Sequence, residues 1–77
     1  MHDSPGEVTL LLAVDEARAR LARLDAQQAQ VVEMRYFCGM TVEETAEALA
    51  IAPRTVKREW AMAKAWLRVE ISSRAAR

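Results

Sequence analysis

Seventy-seven residues make one small domain with a modest core, since a chain this size buries only a little over ~60% of its unfolded surface; a composition 52% hydrophobic, with two Gly, two Pro and no period-2 run, favours an all-α fold. Eleven basic residues balance eleven acidic ones, which at first argues against a nucleic-acid partner. One cysteine and one histidine exclude an internal disulfide and a metal-ligand cluster, no apolar stretch approaches the ~20 residues of a membrane span, and the N-terminus lacks the basic-then-apolar order of a signal peptide.

The expectation is a cytoplasmic domain with no cofactor, no metal and no membrane association. Met1-His-Asp-Ser-Pro-Gly6 is polar and rich in helix breakers, so residues 1–8 read as a flexible lead or linker. Leu10, Val14, Ala17, Leu21 and Leu24 then step by four, three, four and three, which predicts an amphipathic first helix. Asp25 suits the N-cap of a second helix from about Ala26 to Phe37, with Ala29, Val32 and Tyr36 on its buried face. Gly39 is placed to stop that helix in a left-handed conformation.

Thr41, with Glu44 three residues on, has the spacing of a capping box and predicts a third helix starting at Val42. Its buried stripe is Val42, Thr45, Ala46 and Leu49, and Glu43, Glu44 and Glu47 face water. Ala46 is small enough for another helix to cross closely. Ile51 fills the corner after Ala50, and Pro53 fits the first position of a fourth helix, where its missing N–H costs nothing. Two helices joined by so short a turn form a helix-turn-helix.

On the fourth helix Val56, Trp60, Ala63 and Leu67 recur at four, three and four and face the body of the domain. That leaves Arg54, Thr55, Lys57, Arg58, Ala61 and Lys64 outside, on the side that enters the major groove when a helix-turn-helix binds DNA. Arg and Lys suit guanine O6 and N7 or phosphate, and Thr suits phosphate or base. After Ile71 the tail 72–77 is expected to fray, so the domain proper covers 9–71: four helices, the last two a C-terminal helix-turn-helix, and no strands.

The distribution of charge supports a DNA-facing end. Residues 1–51 hold four basic against nine acidic residues, a net of −5, and residues 52–77 hold seven against two, a net of +5. Other residues read more plainly. Cys38 has no nearby His and is expected to pack; adjacent Glu43 and Glu44 do not face each other as an acid–base pair would. Arg35 is placed to pair with Glu44 or Glu47 across the helix crossing. Trp60 reads as core, while Trp66 fits either edge packing or a partner surface. No nucleophile, glycine-rich phosphate loop or catalytic group emerges, so the chain is not expected to be an enzyme.

Residues 24–68 resemble the fourth conserved region of bacterial RNA polymerase sigma factors, particularly the extracytoplasmic-function type. The resemblance rests on Leu24-Asp25, Val31-Val-Glu-Met-Arg-Tyr-Phe37, Gly39-Met-Thr-Val-Glu-Glu-Thr-Ala46, Pro53-Arg-Thr-Val-Lys-Arg58 and Ala63-Lys-Ala-Trp-Leu67. It implies a fold of the sigma region 4 type, winged-helix-like in its helices, that reads the minus-35 promoter element while another face rests on the flap of the polymerase β subunit. Bases would meet Lys57, Arg58 and Ala61, and the DNA backbone would meet Arg54, Thr55 and Lys64. The implied partners are double-stranded promoter DNA, core polymerase and an inhibitory anti-sigma factor.

The resemblance also implies a second conserved region that melts the minus-10 element, for which 77 residues have no room, so the domain is expected to be isolated from a larger protein. Two positions depart from the family pattern, which has Gly at Ala50 and Ser or Thr at Ala52. Pro-Arg-Thr-Val-Lys also occurs in response-regulator output domains, which would bind as homodimers. A third reading, a protein-interaction module bound by an anti-sigma factor or by itself, rests on the zero net charge.

Overall fold

The computed structural model of the chain describes the backbone of residues 5–75 and the side chains of residues 11–74. Its elements are α1 (Pro5–Leu24), α2 (Ala26–Val32), a π-helical turn over Glu33–Phe37, α3 (Val42–Leu49) and α4 (Pro53–Ala75). The described residues contain no strand, as an all-α reading requires. Residues 1–4 of the expected lead, His2 among them, lie outside the described residues, and α1 already includes 5–8.

Each junction is set by a short-range hydrogen bond. The Asp25 carboxylate accepts from the Gln28 N–H at 3.1 Å and caps α2. Thr41 and Glu44 form the reciprocal capping box: Thr41 Oγ1 accepts from the Glu44 N–H at 3.0 Å, and the Glu44 carboxylate accepts from the Thr41 N–H at 2.8 Å. Gly39 has φ +66, the left-handed conformation that a side chain disfavours.

The turn of the helix-turn-helix is a Schellman motif closed on an alanine. The Ile51 N–H donates to the Ala46 carbonyl at 3.0 Å and the Ala50 N–H to the Glu47 carbonyl at 3.2 Å. Ala50 sits between them at φ 56, ψ 43, the one non-glycine residue with positive φ among the described residues. A left-handed alanine costs about 1–2 kcal/mol. Ala50→Gly is therefore expected to stabilise the domain by about 1 kcal/mol, raising the melting temperature by about 4–8 °C for a chain this size. A thermal melt checks it, and a lower melting temperature would contradict the assignment of strain.

The core consists of two clusters with α2 between them. Val32 packs with Leu21 of α1 and Ala63 of α4, and its neighbour Val31 packs with Ala46 of α3 and Val56 of α4. Trp60 packs against both clusters, and Trp66 packs against the edge of the first. On α3, Thr45 and Ala46 are buried and Val42 and Leu49 half-buried, in keeping with the predicted stripe, while Glu43, Glu44 and Glu47 are exposed. Helices α1 and α4 run antiparallel, tied by Arg20 to Glu70 at 3.6 Å and Arg74 to Glu16 at 3.2 Å.

Several expectations fail for identifiable reasons. The Cys38 N–H donates five residues back, to the Glu33 carbonyl at 2.9 Å, so the end of the second helix is wound more widely than an α-helix. That extra residue shifts the phase after Val32, and Tyr36 lies 69% exposed instead of buried. Cys38, on the same wide turn, is exposed too. Leu24 is exposed because α1 ends there and the chain turns away at Asp25. Leu10 belongs to α1, but its side chain is outside the described set.

Arg35 donates through Nη1 to the Met40 carbonyl, with its guanidinium 5.7 Å from the centre of the Trp60 ring. It braces the turn before α3 instead of pairing with Glu44 or Glu47. The frayed tail expected over 72–77 is helical through Ala75, where Arg74 also bonds Glu70 at 3.0 Å.

Candidate nucleic-acid interface

Pro53 opens α4, and the carbonyl of Ala52 before it accepts from the Thr55 and Val56 N–H groups at 2.9 and 3.1 Å. From there the buried positions Val56 and Ala63, with half-buried Trp60 and Leu67, fix the rotation of the helix about its axis. Whatever lies opposite them must face outward. Arg54, Lys57, Arg58, Ala61 and Lys64 are exposed, and Thr55 is half-buried at the edge. The six residues predicted for the site thus share the first three turns of one helix.

They are not equivalent in direction. At ~3.6 residues per turn, Arg54, Arg58 and Ala61 point most directly away from Val56, and Lys57 and Lys64, seven residues apart, form a flank. Lys64 leans furthest toward the body, with its ammonium 5.2 Å from the centre of the Trp60 ring. Thr55 lies on the opposite flank. Such a surface has a basic ridge beside a central strip.

Ion pairing distinguishes Arg74, at the end of α4, from the cations before it, Arg68 included. Arg74, in the second half, is held by Glu16 and Glu70. In the first half, Arg54, Lys57 and Lys64 have no carboxylate within ion-pair distance among the described residues, and Arg58 reaches only its neighbour Glu59, at 3.8 Å. A pair so exposed on the Arg58 side is weak and readily exchanged for a stronger anion. These cations are therefore available to phosphate and to the acceptor edge of guanine. A further outward residue, outside the six, is Met62, 52% exposed and one turn beyond Arg58; its distance of four residues from Arg58 and seven from Thr55 is the signal that marks it.

A second feature lies on the Lys64 flank of α4. Val14 of α1, Val32 of α2, Phe37 of the π turn, and Trp60, Leu67 and Ile71 of α4 line an apolar groove of about 310 Å³. Arg18, Lys64 and Arg68 border it. Arg18 holds one wall in place: its Nε donates to Glu33 at 3.1 Å, and its guanidinium lies 3.9 Å from the centre of the Phe37 ring. Tyr36 meets Phe37 edge-on at 4.9 Å.

Among the described residues no group of three or more His, Cys, Asp or Glu is placed to hold a metal ion, and no helix is long and apolar enough to cross a membrane. Compared with known proteins, residues 3–73 match the family described as ECF sigma factor. No curated protein and no solved structure matches the chain.

Proposed function

The chain belongs to the ECF sigma factor family, non-enzymatic regulators that act in transcription initiation with RNA polymerase and promoter DNA, and from that premise we propose that α4 reads the minus-35 promoter element. The supporting observation is the run of cations on the first turns of α4 that no carboxylate neutralises firmly, on the face opposite Val56 and Ala63. Lys57, Arg58 and Ala61 meet base edges in the major groove. Arg54, Thr55 and Lys64 hold the sugar-phosphate backbone on either side and set the register. The work takes place where polymerase and DNA are, in the cytoplasm.

The apolar groove is the second half of the proposal. We assign it to the flap of the polymerase β subunit, because an apolar floor bordered by the exposed Arg68 suits an amphipathic segment with an acidic flank. An anti-sigma factor that covers this groove would inhibit by excluding the polymerase. Docking of this kind also explains how a chain of zero net charge holds DNA at higher salt: polymerase contact adds to the affinity that the domain has alone.

Base reading and phosphate anchoring differ in kind, and two substitutions separate them. Arg58→Ala is expected to cost about 1–3 kcal/mol on the preferred duplex and little on a scrambled one, so that specificity flattens. Lys64→Ala is expected to weaken binding to both duplexes alike and to reduce the salt slope by about one unit. Titrations of both variants at low salt on the two duplexes make the comparison. Equal losses for Arg58→Ala on both would reduce α4 to an electrostatic anchor, and no loss for either variant would remove DNA from its function.

A further inference from the structure

Met62 is a large apolar side chain standing in water beside a row of cations. It belongs to neither core cluster and does not line the groove. Arg58, Ala61, Met62 and Ala65 are spaced by three, one and three, so they form one strip along the helix. The strip lies opposite buried Val56 and Ala63, on the side of α4 that no other element of the described chain covers. Its lower end is basic and its upper end apolar.

The surroundings decide what such a strip suits. Arg54, Lys57 and Arg58, with one carboxylate contact between them, from Arg58 to Glu59, favour a polyanion over a protein surface of mixed charge. In the major groove of a polyanionic duplex, the distinctive apolar group is the C5 methyl of thymine; the other edges there present donors and acceptors. A methionine, unbranched and flexible, adapts to such a methyl more readily than a β-branched residue does.

We infer that Met62, with Ala61 beside it, reads a thymine methyl group, an assignment that rests on the DNA-reading function of α4 given above. The helix rises 1.5 Å per residue, so Met62 stands roughly 6 Å beyond Arg58 along the axis. Base pairs follow one another at about 3.4 Å. The two side chains therefore meet different bases of the site.

The test starts from the duplex that the full chain enriches from a random pool at low salt. Deoxyuridine, which lacks only the methyl group, then replaces each thymine of that duplex in turn. One such replacement is expected to weaken the wild-type chain about fourfold, the change that burying one methyl group produces. The same replacement should leave Met62→Ala and Met62→Gln unaffected, with both variants keeping wild-type helicity by circular dichroism because the side chain supports no core contact.

If no replacement weakens the wild type, or if the sensitive position weakens the variants equally, Met62 does not read a methyl. Arg58→Ala on the same duplex separates that failure from a failure of α4 to read DNA. A variant that loses sequence preference while Met62 substitutions change nothing overturns the methyl contact alone. The absence of any enriched duplex overturns both.

Discussion

Val56→Asp is expected to abolish the folded state. Val56 is wholly inaccessible to solvent, packed with Val31 of α2 and Ala46 of α3 where α3 and α4 cross. An unpaired carboxylate there costs several kcal/mol, because Val31 and Ala46, packed against it, have no side-chain hydrogen-bond donor. A small domain has about 5–15 kcal/mol of stability in total, and one of 77 residues stands toward the low end. Far-UV circular dichroism should report loss of helix at room temperature, and a cooperative melt close to the parent's would show that α4 does not turn Val56 inward. If that failed, the assignment of Arg54, Arg58 and Ala61 to the outer face would fail with it, since the rotation of the helix fixes both.

The second large effect concerns binding. The double substitution Lys57→Glu, Arg58→Glu leaves the core untouched, because both side chains are exposed. Each lost base-edge partner costs about 1–3 kcal/mol, so affinity for the preferred duplex should fall by at least about thirtyfold before repulsion between the new carboxylates and phosphate is added. The reversal also moves the +5 of residues 52–77 to +1. Helicity and melting should stay near the parent's, which distinguishes lost recognition from lost structure. Retention of affinity would mean that the DNA-facing surface lies elsewhere on the chain.

The parts of the fold legible in the sequence are those decided within a few residues. Thr41 and Glu44 announce a capping box because its two hydrogen bonds join neighbours three apart; Asp25, Gly39 and Pro53 mark their boundaries for the same local reason. The steps from Val56 to Leu67 announce the inward face of α4, and through it the outward face. Membership of the sigma factor family was legible as well, from the same turn and the residues around it, over a span that the family match extends to residues 3–73.

What was not legible depends on distant parts of the chain or on a change of helical winding. Tyr36 sits where an unbroken α-helix would bury it, and only the π turn over Glu33–Phe37 brings it to the surface. Val31 gives no sign that it is more deeply buried than Val32, because both are needed only once α2 lies between two clusters. Arg35 has acidic residues within reach by sequence, yet a carbonyl and the Trp60 ring are nearer in space. The groove is assembled from α1, α2, the π turn and α4, and no single stretch encodes it.

The central claim, that α4 enters the major groove and reads sequence there, is tested most directly by site-specific photocrosslinking on the enriched duplex. A short-range photoreactive residue in place of Ala61 is compared with one in place of Leu12, on α1 and also exposed to solvent. Position 61 is expected to attach to one or two adjacent bases and to lose that attachment on a scrambled duplex, and position 12 to attach to no base on either. Attachment from position 12 but not from position 61, or attachment from 61 that is the same on both duplexes, would contradict the claim.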